Sequence, residues 1–423
     1  MNSEKFTTFV ADMKKILLII AILSLTAGSW GQISAPVEYT IADTVIVDTV
    51  AIDSTLKWPE NVQARLDHLM NEPLLKKTQL GLMVYDLTAD SVIYCQGEKQ
   101  TLRPASTMKL VTAITAIDKL GGGYQFRTQL YYTGTIDHNI LRGDLYCVGG
   151  MDPRFNNDDM RAFVESVQKM GIDTICGRLI ADTSMKDDTR LGEGWCWDDD
   201  NPELSPLLVD RKNEFMSRFM QGLRDAGIVV EAPCTTGSVP KDALTLSACS
   251  HSLKEILEPM LKESDNLYAE SMFFQIASLQ GVRPAKAAHA RQLIKKTLGK
   301  AGISEIPYRI ADGSGLSLYN YVTPEILTRL LIYAYRDQRI FMNLYAALPI
   351  AGQDGTLKKR MKEPYVSGKV RAKTGTLSGI SSLAGYALTP NYHMLAFCII
   401  NQGIMKNAEG RGFQDRVCES MCK

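Results

Sequence analysis

The sequence predicts an α+β protein, an antiparallel sheet flanked by helices and interrupted by a β-rich insertion. Apolar, β-branched runs stand early in the chain, at Leu80–Asp86 and Ser91–Cys95, and again near its end, at Ser381–Leu388 and His393–Asn401. Between them the apolar spacing becomes helical, at Ala105–Leu120, Leu253–Leu279, Ala285–Gly302 and Pro324–Arg336. The stretch 121–248 departs from both patterns, with short strand-like pieces and glycine turns such as Gly121-Gly122-Gly123 and Gly149-Gly150.

Taken in order, the chain opens with Lys14 and Lys15, the apolar run Ile16–Leu25 and the small residues Ala27, Gly28, Ser29 and Gly31. That is the plan of a secretory signal peptide, residues 1–31, with Met13 as an alternative start. The run falls short of the roughly 20 residues that span a bilayer, so cleavage and a periplasmic or otherwise exported product are expected, with no stable membrane anchor. Residues 32–58 alternate small polar and β-branched types around a repeated Asp-Thr-Val and read as an extended linker. A helix follows from Pro59 and Glu60 toward Met70, with Val62, Leu66 and Met70 on one face. The four residues Leu87–Asp90 join the first two apolar runs as a hairpin, and the terminal pair, joined through Thr389-Pro390-Asn391, is expected to complete the same sheet. One domain is therefore assigned to 59–120 with 249–423, and an inserted domain to 121–248, placed to wall a cleft.

Composition narrows the function. The 423 residues are 45% hydrophobic and 22% charged, an ordinary globular balance, and 47 Lys+Arg offset 47 Asp+Glu. Nothing here steers the chain to nucleic acid. Nine cysteines would meet an oxidising compartment, yet their number is odd and their spacing irregular; Cys418 and Cys422 read as unpaired thiols on a helix face. The five histidines form no H-E-x-x-H, so no metal site is predicted.

Three motifs stand in order: Ser106-Thr107-Met108-Lys109, Ser264-Asp265-Asn266 and Lys373-Thr374-Gly375-Thr376. Two other S-x-x-K matches exist, Ser54–Lys57 in the linker and Ser238–Lys241 broken by Pro240. Ser106 differs from both because it follows Pro104 and opens a buried helix, which puts Lys109 one turn on along the same face. A serine hydroxyl needs a base to become a nucleophile, and Lys109 is that base if burial or a second cation, Lys373, favours its neutral form. Ser264 can relay the proton to a leaving amine, and the Asn266 amide can hold a substrate carbonyl. Lys373, Thr374 and Thr376 offer a cation and hydroxyls to a carboxylate, while Gly375 lets substrate lie against the strand. The backbone N–H groups of Ser106 and Thr376 would form an oxyanion hole. The arrangement suits serine acyl transfer.

Beyond the motifs, Gly150-Met151-Asp152-Pro153, Asp182-Thr183-Ser184, Gly194-Trp195-Cys196-Trp197, the extension Leu267-Tyr268-Ala269-Glu270, Ala311-Asp312-Gly313-Ser314-Gly315-Leu316-Ser317, Leu348-Pro349-Ile350-Ala351-Gly352 and Leu383-Ala384-Gly385-Tyr386 stand in order along the chain. Together they resemble the D-alanyl-D-alanine carboxypeptidases of the class C, penicillin-binding protein 4 type, over about Pro59 to Asn401. The resemblance implies a penicillin-recognising, β-lactamase/transpeptidase-like fold that acts on peptidoglycan stem peptides ending in D-Ala-D-Ala, possibly with endopeptidase action as well. It also implies β-lactam binding, no metal or organic cofactor, and the roles already given to Ser106, Lys109, Ser264, Asn266, Lys373, Thr374 and Thr376.

Three departures stand out from that pattern. A further inserted domain of the family is missing where Val209-Asp210-Arg211-Lys212-Asn213 leads into the helix Glu214–Ala226. The family's Asp-Gly-Ser-Gly-Leu-Ser block normally continues with Arg where this chain has Leu318, and Ser378 lies two residues after the last motif. Asp199 is a candidate acidic contact for a substrate amine. A serine β-lactamase and a non-catalytic cell-wall binder are the competing readings. The first lacks a Glu followed four residues later by Asn at Glu270, Glu305, Glu325 and Glu363; the second has no use for a paired nucleophile and base.

Overall fold

The computed structural model describes residues 55–199 and 201–423, so the signal segment and most of the linker lie outside the described residues. The first helix, α1 (Glu60–Leu69), buries Val62, Leu66 and Leu69, one turn-spaced stripe. Strands β1 (Gln79–Asp86) and β2 (Ser91–Gln96) form the expected hairpin. Helix α2 (Met108–Leu120) follows a 3₁₀ turn at Ala105–Thr107 and is buried on every side from Met108 to Ile117, as its continuous apolar sequence requires.

The chain then enters a run of short strands: β3 (Gln125–Tyr132), β4 (Thr135–Asp137), β5 (Ile140–Arg142), β6 (Leu145–Val148), β7 (Thr174–Ile175), β8 (Leu179–Asp182), β9 (Val229–Val230), β10 (Thr235–Thr236) and β11 (Leu244–Ser252). They make two sheets, ordered β10-β8-β6-β3-β11 and β4-β5-β7-β9. Helices α3 (Asn157–Lys169) and α4 (Phe215–Asp225) pack with them around a core that includes Phe155, Phe163, Phe215 and Phe219. The α3 start is fixed by a capping box in which the Asn156 side chain and the Asp159 side chain each satisfy the other's backbone N–H.

The second half supplies the helices α5 (Leu253–Lys262), α6 (Asn266–Ser278), α7 (Ala287–Lys300), α8 (Pro324–Arg336) and α9 (Gln338–Ala347), then β12 (Val370–Leu377), β13 (Ile380–Leu388), β14 (Met394–Gln402) and α10 (Asn407–Cys422). The single helix expected over Leu253–Leu279 is two. Ser264 adopts φ +64°, which ends the α5 spiral, and Asp265 restarts it by capping the Tyr268 N–H. Lys373-Thr374-Gly375-Thr376 lies within β12, which pairs with the β13 run that follows it.

The main sheet has the order β12-β13-β14-β1-β2, with every pair antiparallel. Its two faces are sorted by strand alternation. Along β14, Leu395, Phe397 and Ile399 point to the core shared with α1 and α10, whereas Ala396, Cys398 and Ile400 point to the core shared with α2 and α5–α9. Cys418 and Cys422 are buried in the first of these cores, and all nine cysteines are free thiols. Edge strand β12 faces the 3₁₀ turn that begins α2, and that junction brings the three motifs together.

Candidate active site

Ser106 is half-buried in the Ala105–Thr107 turn. Its neighbour Ala105 holds φ +47°, and Thr107 pins the turn by donating its hydroxyl to Pro104 O at 2.6 Å. This turn is tightly enclosed. A Cβ at Gly315 would stand 1.9 Å from Ala105 O, and one at Gly375 would stand 2.9 Å from Ser106 N. Gly375 therefore also makes room for the protein's own Ser106-bearing turn.

Lys109, one helical turn from Ser106, is buried without water and makes three hydrogen bonds. Its Nζ donates to Ser106 Oγ at 3.0 Å, to Asn266 Oδ1 at 2.6 Å and to Ser314 O at 2.8 Å. Burial pulls its pKa down to about 8, against Asp312, Glu270 and Asp265, which favour the charged form. Of the two expected causes, burial or a second cation, burial is the one that lowers Lys109, and the neighbouring charges around it are acidic. Lys373 is also fully buried and lies well below the ordinary lysine range, through burial first and the charge of Lys109 second.

The two lysines engage the two ends of one motif. Lys373 Nζ donates to Ser264 Oγ at 2.8 Å and to Thr374 O at 2.7 Å, while Lys109 takes Asn266. Between them Asp265 turns outward, capping α6 and pairing with Arg211. Because Ser264 has a positive φ, it reaches β12 while Asn266, already in the helix, reaches α2. Thr374 donates to Thr356 Oγ1 at 2.8 Å, and Thr376 is exposed on the edge strand.

Residues outside the motifs complete the cluster. The Glu270 carboxylate, buried on α6, accepts from Gly313 N at 3.0 Å and Ser314 N at 2.7 Å, which fixes the loop whose carbonyl holds Lys109. Desolvation, reinforced by Asp312, raises Glu270 to about 8. Asp312 accepts from Gly315 N, Ser317 N, Asn320 Nδ2 and, at 2.8 Å, the indole N–H of Trp195. Thr112, one turn beyond Lys109, donates to Gly313 O at 2.7 Å. The sequence contained the Glu270 and Asp312 blocks, but no signal in it marked the Ser314 carbonyl.

The chain matches the family model described as D-Ala-D-Ala carboxypeptidase 3 (S13), over residues 62–211 and 204–421. It belongs to that family. The activity class is that of a serine-type D-Ala-D-Ala carboxypeptidase. A relative, a D-alanyl-D-alanine carboxypeptidase of an Actinomadura species, is 27% identical, covering 80% of this chain and 80% of that protein. The D-alanyl-D-alanine carboxypeptidase DacB of Haemophilus influenzae is 25% identical over 78% of this chain and 86% of its own. A crystal structure of penicillin binding protein 4 (dacB) from Haemophilus influenzae aligns with TM-score 0.78 at 24% identity, covering 85% of this chain and 99% of that one; another holds a β-lactam, with TM-score 0.73. The fold is thus α+β and of the penicillin-binding protein 4 type.

Within this S13 member, Ser106, Lys109 and Asn266 form one hydrogen-bonded group and Lys373 and Ser264 a second, the two joined through the Ser264-Asp265-Asn266 backbone, with Thr374 and Gly375 on the strand beside them. Asp199 makes no hydrogen bond to these residues; its carboxylate accepts from Cys196 N at 2.7 Å. Leu318 and Ser378 line one cleft with Arg103, whose Nε donates to Leu318 O at 3.0 Å.

Proposed function

We propose that Ser106 is the nucleophile that cleaves the terminal D-alanine from peptidoglycan stem peptides, through an acyl-enzyme, and that β-lactams are trapped at the same hydroxyl. The observation that carries this is the count of bonds at Lys109. A neutral lysine amine has two N–H groups and one lone pair. Asn266 Oδ1 and Ser314 O take the two N–H groups, which leaves the lone pair aimed at the Ser106 hydroxyl 3.0 Å away. With its pKa near 8, a substantial fraction of Lys109 is neutral close to physiological pH.

Ser106 Oγ then attacks the carbonyl of the penultimate D-alanine, and its proton passes to Lys109. The oxyanion is held by the backbone N–H groups of Ser106 and Thr376. Ser264, bonded to Lys373, relays that proton from Lys109 to the departing amine as the C–N bond breaks, so Lys109 returns to its neutral form and Ser264 keeps its hydroxyl. The terminal carboxylate lies against Lys373, Thr374 and Thr376. Water hydrolyses the ester and restores Ser106.

Residues 121–248 act as an inserted domain walling the cleft, with Trp195 meeting Asp312 as the contact that supports this. The substrate's site and the amino-terminal segment 1–31 point to an exported protein; among the described residues no helix is long and apolar enough to cross a membrane. Labelled penicillin followed by mass spectrometry tests the assignment. An adduct on Ser106, and D-alanine release from a pentapeptide that disappears in Ser106→Ala, are expected. An adduct elsewhere refutes the nucleophile, and rapid turnover of the penicillin marks a β-lactamase instead.

A further inference from the structure

A second cluster of chemistry-bearing side chains lies where β11 runs into α5. Strand alternation puts Cys249 and His251, two residues apart on β11, on the same face. The loop after β6 brings Asp152 to that face, and the first turn of α3 brings Asp159. One ligand atom from each of Asp152, Cys249 and His251 lies within 4.8 Å of the other two. His251 Nδ1 is 2.7 Å from Asp152 Oδ2, and its Nε2 is 3.9 Å from Asp159 Oδ2. The site is nearly dry: the Asp152 side chain is 0% exposed, His251 12% and Asp159 20%.

We propose that Asp152, Cys249 and His251, with Asp159 at their side, bind a divalent cation of the zinc class. One thiol sulfur, one imidazole nitrogen and carboxylate oxygens are the mixed donor set that zinc accepts and that calcium or magnesium, which take oxygen alone, do not. Bonds of about 2.0–2.3 Å place tetrahedral ligands roughly 3.3–3.8 Å apart, so small side-chain rotations close this group on an ion. Outer support is already in place. Asp152 accepts from Arg154 N at 3.0 Å, and Asp159 Oδ2 from Asn156 N at 2.9 Å, which hold the carboxylates in their orientation.

One buried carboxylate, Asp152, and one partly buried, Asp159, around a single imidazole leave an excess of negative charge that a cation would offset. The thiol of Cys249 is held protonated by burial, with Asp159, Asp152 and Glu255 adding to it, and His251 is raised by its bond to Asp152. Arg154, 3.8 Å from Glu255, is the nearby fixed cation. Binding would release the thiol proton and the proton shared by His251 and Asp152, so it would strengthen with pH. The ion would bind the end of β11 to the loop after β6 and the start of α3, just ahead of α5. The donors escaped sequence inspection because Asp152 and His251 are 99 positions apart.

The test uses the full chain, stripped with a chelator and titrated with zinc by calorimetry, with cobalt absorption as a report of thiolate ligation. One equivalent bound with proton release is expected, together with a thiolate-to-cobalt charge-transfer band. Cys249→Ser and His251→Ala should each weaken zinc by more than about 100-fold, beyond the loss typical of an outer-shell change. Cys249→Ser is nearly isosteric and should acylate with labelled penicillin like the parent, which shows that it is folded. Zinc uptake by the parent no greater than by the double variant, or an undiminished cobalt band in Cys249→Ser, overturns the proposal and leaves a His251–Asp152 ion pair.

Discussion

Adding one methyl group at Gly375 probes how closely β12 must approach the nucleophile. The new Cβ would lie 2.2 Å from Ser382 Oγ, 2.8 Å from Pro104 O and 2.9 Å from Ser106 N. Ser382 cannot swing away freely, because it is buried and donates to Pro104 O at 2.6 Å. Contacts become ordinary only from 3.4 Å, so the backbone of the turn must retreat by about 0.5 Å, at an overpacking cost of about 1–3 kcal/mol. A 1 Å misplacement of reacting groups costs roughly 100-fold in rate, so half of that should slow acylation by about tenfold or more. The assay is the second-order rate of Ser106 labelling by a fluorescent penicillin, with a thermal melt in parallel. Gly375→Ala should lower both, and Gly375→Ala/Ser382→Ala should recover part of the melt but not the rate, since the two backbone contacts remain. A single variant with parental rate and melt would refute the packing argument.

Other consequences follow from the same geometry. Lys109→Met removes the proton acceptor and should cut acylation by about 10²–10⁴, and in the parent the rate should climb as pH rises through about 8, where Lys109 sheds its proton; a flat profile would exclude Lys109 as the base. Glu270 has its folded pKa raised from 4.5 to about 8, so its stabilising contribution is whole below about pH 4.5 and is lost as pH rises through about 8. Glu270→Gln should flatten that fall in denaturant-melt free energy, and an unchanged pH slope would show that the group does not titrate there. Trp195→Phe deletes the 2.8 Å bond to Asp312 and should cost about 1–3 kcal/mol, read from the shift in urea midpoint; no shift would mean the insertion is not held through this contact.

The main sheet was legible because its strands β1, β13 and β14 are short, nearly continuous apolar runs, the pattern that a strand buried on both faces requires. Leu82 and Val84 face one core while β14 sorts its own residues in the same alternation. The helix break at Ser264 was not legible, since the apolar spacing on either side is continuous with one long helix and only a positive φ interrupts it. Helix α9 was missed as well, its start being set by the Asp337 cap directly after α8 ends. Asp199 was named as an acidic candidate by proximity to Trp195 and Trp197, and the structure adds that one of its carboxylate oxygens accepts from the Cys196 N–H.

By itself the sequence determined the fold class and the family and named the candidate reactive side chains, because side-chain chemistry and apolar periodicity are written in residue types. Tertiary structure decided how those side chains are held. The third bond to Lys109 comes from the Ser314 carbonyl, a group every residue possesses, and that carbonyl is placed by the buried Glu270 on another helix. The lowered pKa of Lys109 likewise arises from loss of water around it, not from a neighbouring cation that could be read from a motif. Hydrogen bonds to backbone and exclusion of solvent have no residue-type signature, so they emerge only when distant segments close on one another.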